Sequence, residues 1–515
     1  MITPEHNYTV KYATDLLCKW NSGRELIVDD VDRYTGERLN REARCVARGL
    51  INLGIDKGDT VALMGTASCR FYAAYFATHK LGAVSCNIHV RESAEFIART
   101  LHQINAKVLI CSGQLLETAA AAVESLDRKI PLISLDDCPG ASASYSDLVN
   151  RFPPEEPPVD VSPEDNAIII LSSGSTGTPK GIVHSNRNFV HWLRAAPALF
   201  GAVSRTTRFL VNVGTSFAAW PFSSIPILYA GGTIILLDGF TPEKFCKAVE
   251  QERITMAGPV PTMIRMLEPE ITQRYDLSSF EMVLCAGEPP TESDIQRVLS
   301  WADTDIRCLY LASESAPGAA TFWELNDSLE NNKPVCAGKP VPGADLRIVD
   351  PDGDIDDELP TGTAGEIALR GPTIARGYLN NPALTAQRFV QSWWRSGDMG
   401  RLDEDGYLHV EGRTDNMINT GGIKVHGEEV ETFLLQHAAV SQVAVIGVPD
   451  PKWGQRIEAH VSCSAEVSAE ELGLFCKDHG LAPFKQPKRY VFHEELPVGV
   501  TGKLDRVSLR ERSPA

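Results

Sequence analysis

Residues 168–171 are Ile-Ile-Ile-Leu, and the ten that follow, 172–181, read S-S-G-S-T-G-T-P-K-G. A β-branched apolar run closed by a cluster of Gly, Ser and Thr predicts a buried strand feeding a loop. Small residues let successive backbone N–H groups converge on an anion. Ser172, Ser173, Gly174, Ser175, Thr176, Gly177 and Thr178 therefore form a candidate phosphate cradle, with hydroxyl donors around it, and Lys180 adds a mobile positive charge. The loop departs from the pattern G-x-x-x-x-G-K-[ST], because Pro179 precedes Lys180 and Gly181 follows it, which disfavours a P-loop NTPase. A flexible surface loop is the usual meaning of Gly/Ser-rich sequence. Ten defined positions behind a strand argue against that meaning here.

A second constellation lies at 310–314, Y-L-A-S-E, behind the strand-like residues 306–309. That placement predicts side chains at the carboxyl edge of a strand, where open α/β sheets put their ligand sites. A carboxylate close to phosphates requires a cation between the anions, since two like charges in a dry pocket repel.

Further blocks follow in order: G-E-I-A-L-R-G from Gly365, A-R-G-Y-L-N-N-P from Ala375, R-S-G-D at 395–398, G-R-T-D-N-M-I-N-T-G-G-I-K-V from Gly412, and L-P-V-G-V-T-G-K-L-D-R ending at Arg506. Together with the phosphate loop this set resembles the adenylate-forming superfamily of acyl- and aryl-CoA synthetases, luciferases and adenylation domains, and the resemblance covers nearly the whole chain. Any one block alone is a weak signal; several in the family's order are a strong one.

The resemblance implies specific roles. Tyr310 stacks on adenine, Ser313 contacts phosphate and Glu314 holds magnesium. Ala286, Gly287 and Glu288 form the loop against adenine, and Asp398 accepts hydrogen bonds from both ribose hydroxyls. Arg413 lies near the ribose and α-phosphate, Asp415 is the hinge of the C-terminal domain, and Gly421 and Gly422 line the thiol tunnel. Lys503, on a glycine-bearing loop, stabilises the charge that builds when a carboxylate attacks the α-phosphate. Phe217 matches the aromatic gate beside the thioester tunnel, and Trp220 is either pocket wall or, more commonly for such a residue, a core aromatic. Leu311 occupies a position where most members of the family carry glycine. A bulky residue there shortens the acyl pocket, so a compact acid, or one entering by another route, is expected.

The alternation of helix-like stretches (91–104, 243–252) with short apolar runs (108–111, 233–237, 281–285) points to an α/β fold with parallel sheets. The proline-rich 153–158 reads as an exposed connector between two α/β halves. The expected organisation is an N-terminal domain over 1–412, with subdomains of about 1–160, 161–337 and 338–412, the last β-rich, and a small mobile α+β C-terminal domain over 413–515. Within the last, 428–437 and 469–479 read as helices and 443–448 and 457–463 as strands.

The 515 residues carry a net charge of −18, which argues against non-specific nucleic-acid binding. The polar first nine residues lack a signal-peptide pattern and no run reaches the length of a membrane span, which points to a cytoplasmic protein with no membrane partner. The 12 cysteines show no C-x-x-C pair and no zinc spacing, as expected of reduced structural thiols.

The resemblance implies a two-step ligase. ATP and a small carboxylic acid give acyl-AMP and pyrophosphate with Mg2+, and thiol attack then releases AMP as the C-terminal domain swings between steps. Coenzyme A is the expected acceptor. A carrier-protein phosphopantetheine acting in trans is the main alternative, followed by an enzyme that makes only the acyl-adenylate. A non-catalytic nucleotide-binding protein and a luciferase-type monooxygenase are remote. A monomer and a homodimer fit the sequence equally.

Overall fold

The computed structural model describes residues 8–172, 179–201, 203–287, 290–315, 321–324, 336–341, 343–420, 423–499 and 504–513. The chain divides into two compact units, one of 1–346 with 369–394 and one of 347–368 with 395–515.

The first unit is built on two sheets. One has eight strands in the order Gly377–Tyr378, Lys180–Ser185, Asn166–Ser172, Val84–Asn87, Thr60–Met64, Ala106–Cys111, Leu132–Ser134, Ala143–Ser144. Its inner pairs are parallel, and the two pairs at the Gly377–Tyr378 edge are antiparallel. The other has nine strands, running from Lys339–Pro340 through Thr321–Glu324, Asp305–Tyr310, Met282–Ala286, Met256–Ala257, Arg208–Val211, Thr233–Leu236 and Glu25–Val28 to Arg33–Thr35. The α/β class expected from the alternation of elements holds.

One hydrophobic cluster joins residues of both sheets, such as Val61, Leu63, Phe209 and Ile234, through the helix Cys69–Lys80. Every residue of that helix except Arg70 is buried, as a helix apolar on all faces must be. Ser68 starts it by accepting from the Phe71 N–H. The helix Ala219–Tyr229 is buried in the same cluster although it contains Pro226. Proline removes the N–H that would bond the carbonyl four residues back. That carbonyl, of Phe222, accepts instead from Trp192 Nε1 at 2.8 Å, so the polar group is satisfied inside the core.

Two expected boundaries are corrected. The connector 153–158 does not separate two halves, because Asn166–Ser172 and Lys180–Ser185 beyond it belong to the first sheet, while the N-terminal strands Glu25–Val28 and Arg33–Thr35 complete the second. Proline content reports only that a segment forms neither helix nor central strand; it carries no record of which strands pair across it. The connector is also tethered. Glu156 pairs with Lys11, with Arg44 at 2.7 Å and with Lys80, whose side chain is 0 % exposed and also pairs with Asp15. The expected break at 412/413 is likewise displaced, since 347–368 and 395–412 cluster with the C-terminal residues and 369–394 with the first unit.

In the second unit the sheet order is Ile423–His426, Met417–Thr420, Gly454–Cys463, Val440–Asp450, with Arg489–His493 parallel to Gly454–Cys463. Side chains alternate across it with the period of two that a strand imposes. Val443 and Val445 pack with Val430 and Leu434 of helix Gly427–Leu434 and Leu472 of helix Ala469–Asp478, whereas Ala444, Ile446 and Val448 pack with Leu509 of helix Arg506–Arg512. Arg506 anchors that last helix through Nη2, which donates to both carboxylate oxygens of Glu431 at 2.7 and 2.8 Å. Among the described residues no helix is long and apolar enough to cross a membrane. None of the 12 cysteines is joined in a disulfide, and ten of them are buried.

Candidate active site

The segment expected to cradle phosphate falls between two antiparallel neighbouring strands. Ser172 and Lys180 are register partners at the end of the antiparallel pair Asn166–Ser172 and Lys180–Ser185. Ser173, Gly174, Ser175, Thr176, Gly177 and Thr178 lie outside the described residues. The hairpin base is fixed by Gln103 Nε2, which donates to the Pro179 carbonyl at 2.8 Å. Lys180 is half-buried and its ammonium has no side-chain partner among the described residues.

Residues 311–315 follow the strand Asp305–Tyr310 at its carboxyl end, and the neighbouring parallel strand Met282–Ala286 ends beside it, with Ala286 opposite Leu309. Ala286, Tyr310, Leu311, Ser313 and Glu314 are all half-buried there, the position at which a parallel sheet presents a ligand site. Gly287 has φ +97, a left-handed conformation that favours glycine. Glu288 lies outside the described residues.

Two further segments grip 311–315. His184 Nε2 lies 2.8 Å from the Ser313 carbonyl; a carbonyl only accepts, so the ring carries its proton on Nε2 and donates it. His184 is 0 % exposed, and burial depresses its pKa to about 4, which keeps the ring neutral. From the other side, the Ala375 N–H donates to the Glu314 carbonyl at 2.8 Å, Thr373 Oγ1 donates to the Ser315 carbonyl at 2.9 Å, and the Tyr378 hydroxyl donates to Glu314 Oε1 at 3.0 Å. The edge strand Gly377–Tyr378 pairs with the hairpin and is flanked by bonds from Arg376 N to Val183 O at 2.8 Å and from Leu379 N to Gly181 O at 2.7 Å. Hairpin, strand end and edge strand thus form one hydrogen-bonded assembly around Ser313 and Glu314.

Residue Phe217 lines a cavity of about 10 Å³ with Tyr75, Asn87, Thr215 and Pro221, room for a single water. Neither Leu311 nor Trp220 lines it. Trp220 is 0 % exposed and meets Phe71 and Tyr75 edge-on at ring distances of 5.5 and 5.0 Å and Tyr72 at a tilt at 4.8 Å. Its placement is that of a core aromatic and corrects the pocket-wall alternative, because three aromatic neighbours enclose the indole.

In the second unit Asp398 and Arg413 are register partners on the antiparallel strands Trp393–Leu402 and Leu408–Arg413, and Arg413 Nη1 donates to Asp398 Oδ1 at 2.8 Å. The turn before Asp398 is held by Glu366, 3 % exposed, whose two oxygens accept from Gly397 N at 2.9 Å and Arg395 Nε at 2.7 Å. Ser396 Oγ accepts from the Asp398 N–H at 2.9 Å and donates to the Ile367 carbonyl at 2.7 Å. The Asp415 side chain, Gly421, Gly422 and Lys503 lie outside the described residues.

Residues 18–379 match the AMP-binding enzyme family, and residues 429–503 match the AMP-binding enzyme C-terminal domain. The chain belongs to the AMP-binding enzyme family. Its order of motifs places it in the adenylate-forming superfamily, whose members activate carboxylic acids with ATP. It is 32 % identical over 482 residues to a feruloyl-CoA synthase of Amycolatopsis sp, covering 93 % of this chain and 94 % of that protein. It is 30 % identical over 487 residues to the long-chain-fatty-acid–CoA ligase FadD13 of Mycobacterium tuberculosis, with 94 % of each covered. Among solved structures, an anthranilate CoA ligase, AuaEII, in complex with anthranoyl-AMP superposes with a TM-score of 0.87 at 25 % identity, covering 97 % of this chain and 96 % of that one. The AMP-binding enzyme reading makes this chain an enzyme of the ligase type.

Sequence reasoning missed His184, Tyr378 and Glu366. Tyr378 and Glu366 stand inside quoted blocks, A-R-G-Y and G-E-I-A-L-R-G, yet nothing local marks a tyrosine as the partner of a glutamate 64 residues away. His184 reads as one polar residue in a strand.

Proposed function

We propose that this enzyme converts a compact carboxylic acid and ATP to an acyl-AMP, and then passes the acyl group to the thiol of coenzyme A. The observation that carries the reading is the assembly around Glu314: a carboxylate at the carboxyl edge of a parallel sheet, oriented by a phenol, on an element bonded to the Ser172/Lys180 hairpin. A carboxylate beside an anion-binding loop suits a polyphosphate that brings its own divalent cation. Glu314 is the residue that would hold Mg2+, and the ion's chemistry there is neutralisation of phosphate oxygens.

The chain's own groups then divide the work. In the first unit Lys180 and the hydroxyls of the loop bind phosphate, Ser313 contacts it, and Tyr310, Ala286, Gly287 and Glu288 enclose adenine. In the second unit Asp398, with Arg413, serves the ribose hydroxyls and α-phosphate. An oriented carboxylate accepts two hydroxyl donors without reorganising. Lys503 supplies positive charge where carboxylate oxygen attacks phosphorus. A new O–P bond forms as the bond to the pyrophosphate oxygen breaks, so charge accumulates at the α-phosphoryl oxygens and a placed cation favours the transition state over the ground state. Thiol attack on the acyl carbon afterwards expels AMP.

Acid-dependent exchange of labelled pyrophosphate into ATP, run over short-chain, branched, aromatic and bulky carboxylic acids, tests the first step. Adding coenzyme A to the responsive acid tests the second. Exchange with a compact or aromatic acid, followed by AMP release on adding coenzyme A, is expected. Exchange without AMP release on adding coenzyme A overturns the acceptor, and exchange restricted to long-chain acids overturns the substrate class.

A further inference from the structure

The Tyr378 hydroxyl donates to Glu314 Oε1 at 3.0 Å, and Tyr378 is itself fixed by contacts that owe nothing to that bond. Its backbone is in register with Ile182 of the strand Lys180–Ser185, its N–H donates to Thr385 Oγ1 at 2.9 Å, and its ring meets Phe389 edge-on at 5.6 Å. The preceding residue must be glycine. Gly377 has φ +143, and a Cβ there would stand 2.5 Å from Thr385 Cγ2, the side chain whose hydroxyl holds Tyr378.

Glu314 is clamped at its main chain by Ala375 N, at 2.8 Å from its carbonyl. Holding a glutamate side chain in a single carboxylate orientation costs torsional entropy, and a phenol donor on one oxygen favours that orientation.

We propose that Tyr378 is a positioning residue for Glu314, orienting its carboxylate toward the divalent cation that accompanies ATP. The inference rests on the reading of Glu314 as the metal-holding carboxylate. Partners behind a metal-binding carboxylate typically change metal affinity by about 10- to 100-fold when removed, while the packing of Tyr378 against Phe389 survives in phenylalanine.

The test is calorimetric titration of ATP into the full-length enzyme with and without Mg2+, for the native protein, Tyr378→Phe and Glu314→Gln. Binding requires no turnover, so the readout is separate from activity. Tyr378→Phe is expected to weaken ATP binding about tenfold in Mg2+ and to leave metal-free binding unchanged. The Mg2+ concentration giving half-maximal pyrophosphate exchange is expected to rise by a similar factor. If Glu314→Gln loses the Mg2+ dependence and Tyr378→Phe retains all of it, the role of Tyr378 is overturned and the reading of Glu314 stands. If Glu314→Gln keeps the full Mg2+ dependence, the reading of Glu314 falls and the role of Tyr378 falls with it. Equal weakening of metal-free and Mg2+-supported binding by Tyr378→Phe makes Tyr378 a structural support of the fold and overturns the proposal.

Discussion

His184 Nε2 donates to the carbonyl of Ser313 across 2.8 Å, joining the outer strand of the hairpin to the segment that carries Glu314. The ring is wholly buried and its pKa lies at about 4, against an ordinary 6.5, because burial penalises the charged form more than the Ser313 carbonyl favours it.

Stability should therefore depend on pH through this residue. The folded ring resists protonation and the unfolded one accepts it near 6.5, so stability falls as pH drops from 6.5 toward 4 and returns as pH rises, at no more than about 1.4 kcal/mol per pH unit from one group. His79, buried and depressed to about 3, titrates in the same direction, so the comparison must be with a variant. His184→Gln retains an N–H donor and has nothing to titrate. Between pH 7 and 5 its loss of stability in urea unfolding should be smaller than the native loss by roughly 1–2 kcal/mol. Parallel pH profiles would refute the assignment.

Asp398 sits in a turn whose geometry Glu366, Ser396 and Arg413 hold. Asp398→Ala should weaken nucleotide binding by about 10- to 100-fold, the size of lost hydrogen bonds to a charged group. The thermal midpoint should move little, since the turn keeps its other bonds. Fluorescent-nucleotide titration alongside a melting curve separates the two effects; a large fall in the midpoint with unchanged affinity would assign Asp398 to the fold.

For Lys503 the expected result is a split between half-reactions. Lys503→Ala should abolish pyrophosphate exchange, by about 100-fold or more for loss of a preorganised charge, while thioester formation from supplied acyl-AMP and coenzyme A is largely retained. Equal loss of both steps would remove Lys503 from its role.

Leu311 stands half-buried directly after the strand Asp305–Tyr310. Leu311→Gly should extend the range of acids toward longer chains, with the kcat/KM ratio of long over short acid rising by roughly 10-fold or more for several methylenes admitted. An unchanged chain-length preference would show that the pocket lies elsewhere.

The strands and helices that carry the candidate residues were legible in the sequence because those residues fall in short blocks whose local conformation is set by their neighbours. The strand Asn166–Ser172 follows from its β-branched run and Asp305–Tyr310 from the strand-like residues 306–309. The C-terminal helices Gly427–Leu434 and Ala469–Asp478 follow from their period, the second sealed by Ser468 and Glu471 as a capping box. The supporting shell was not legible. Glu366, His184 and Tyr378 act on residues 31, 129 and 64 positions away, and no local pattern encodes a partner at such a distance.

The amino-acid order alone determined which stretches become strands and helices, and the family to which the motifs belong, because hydrophobic period, turn chemistry and caps act over a few residues. Tertiary structure alone decided which strands share a sheet. It carried Glu25–Val28 across to Thr233–Leu236, brought Gly377–Tyr378 beside Lys180–Ser185, and sealed Trp220 in the core. Those outcomes depend on burying apolar faces and pairing backbone groups between segments hundreds of residues apart, and that selection operates only once the whole chain has folded.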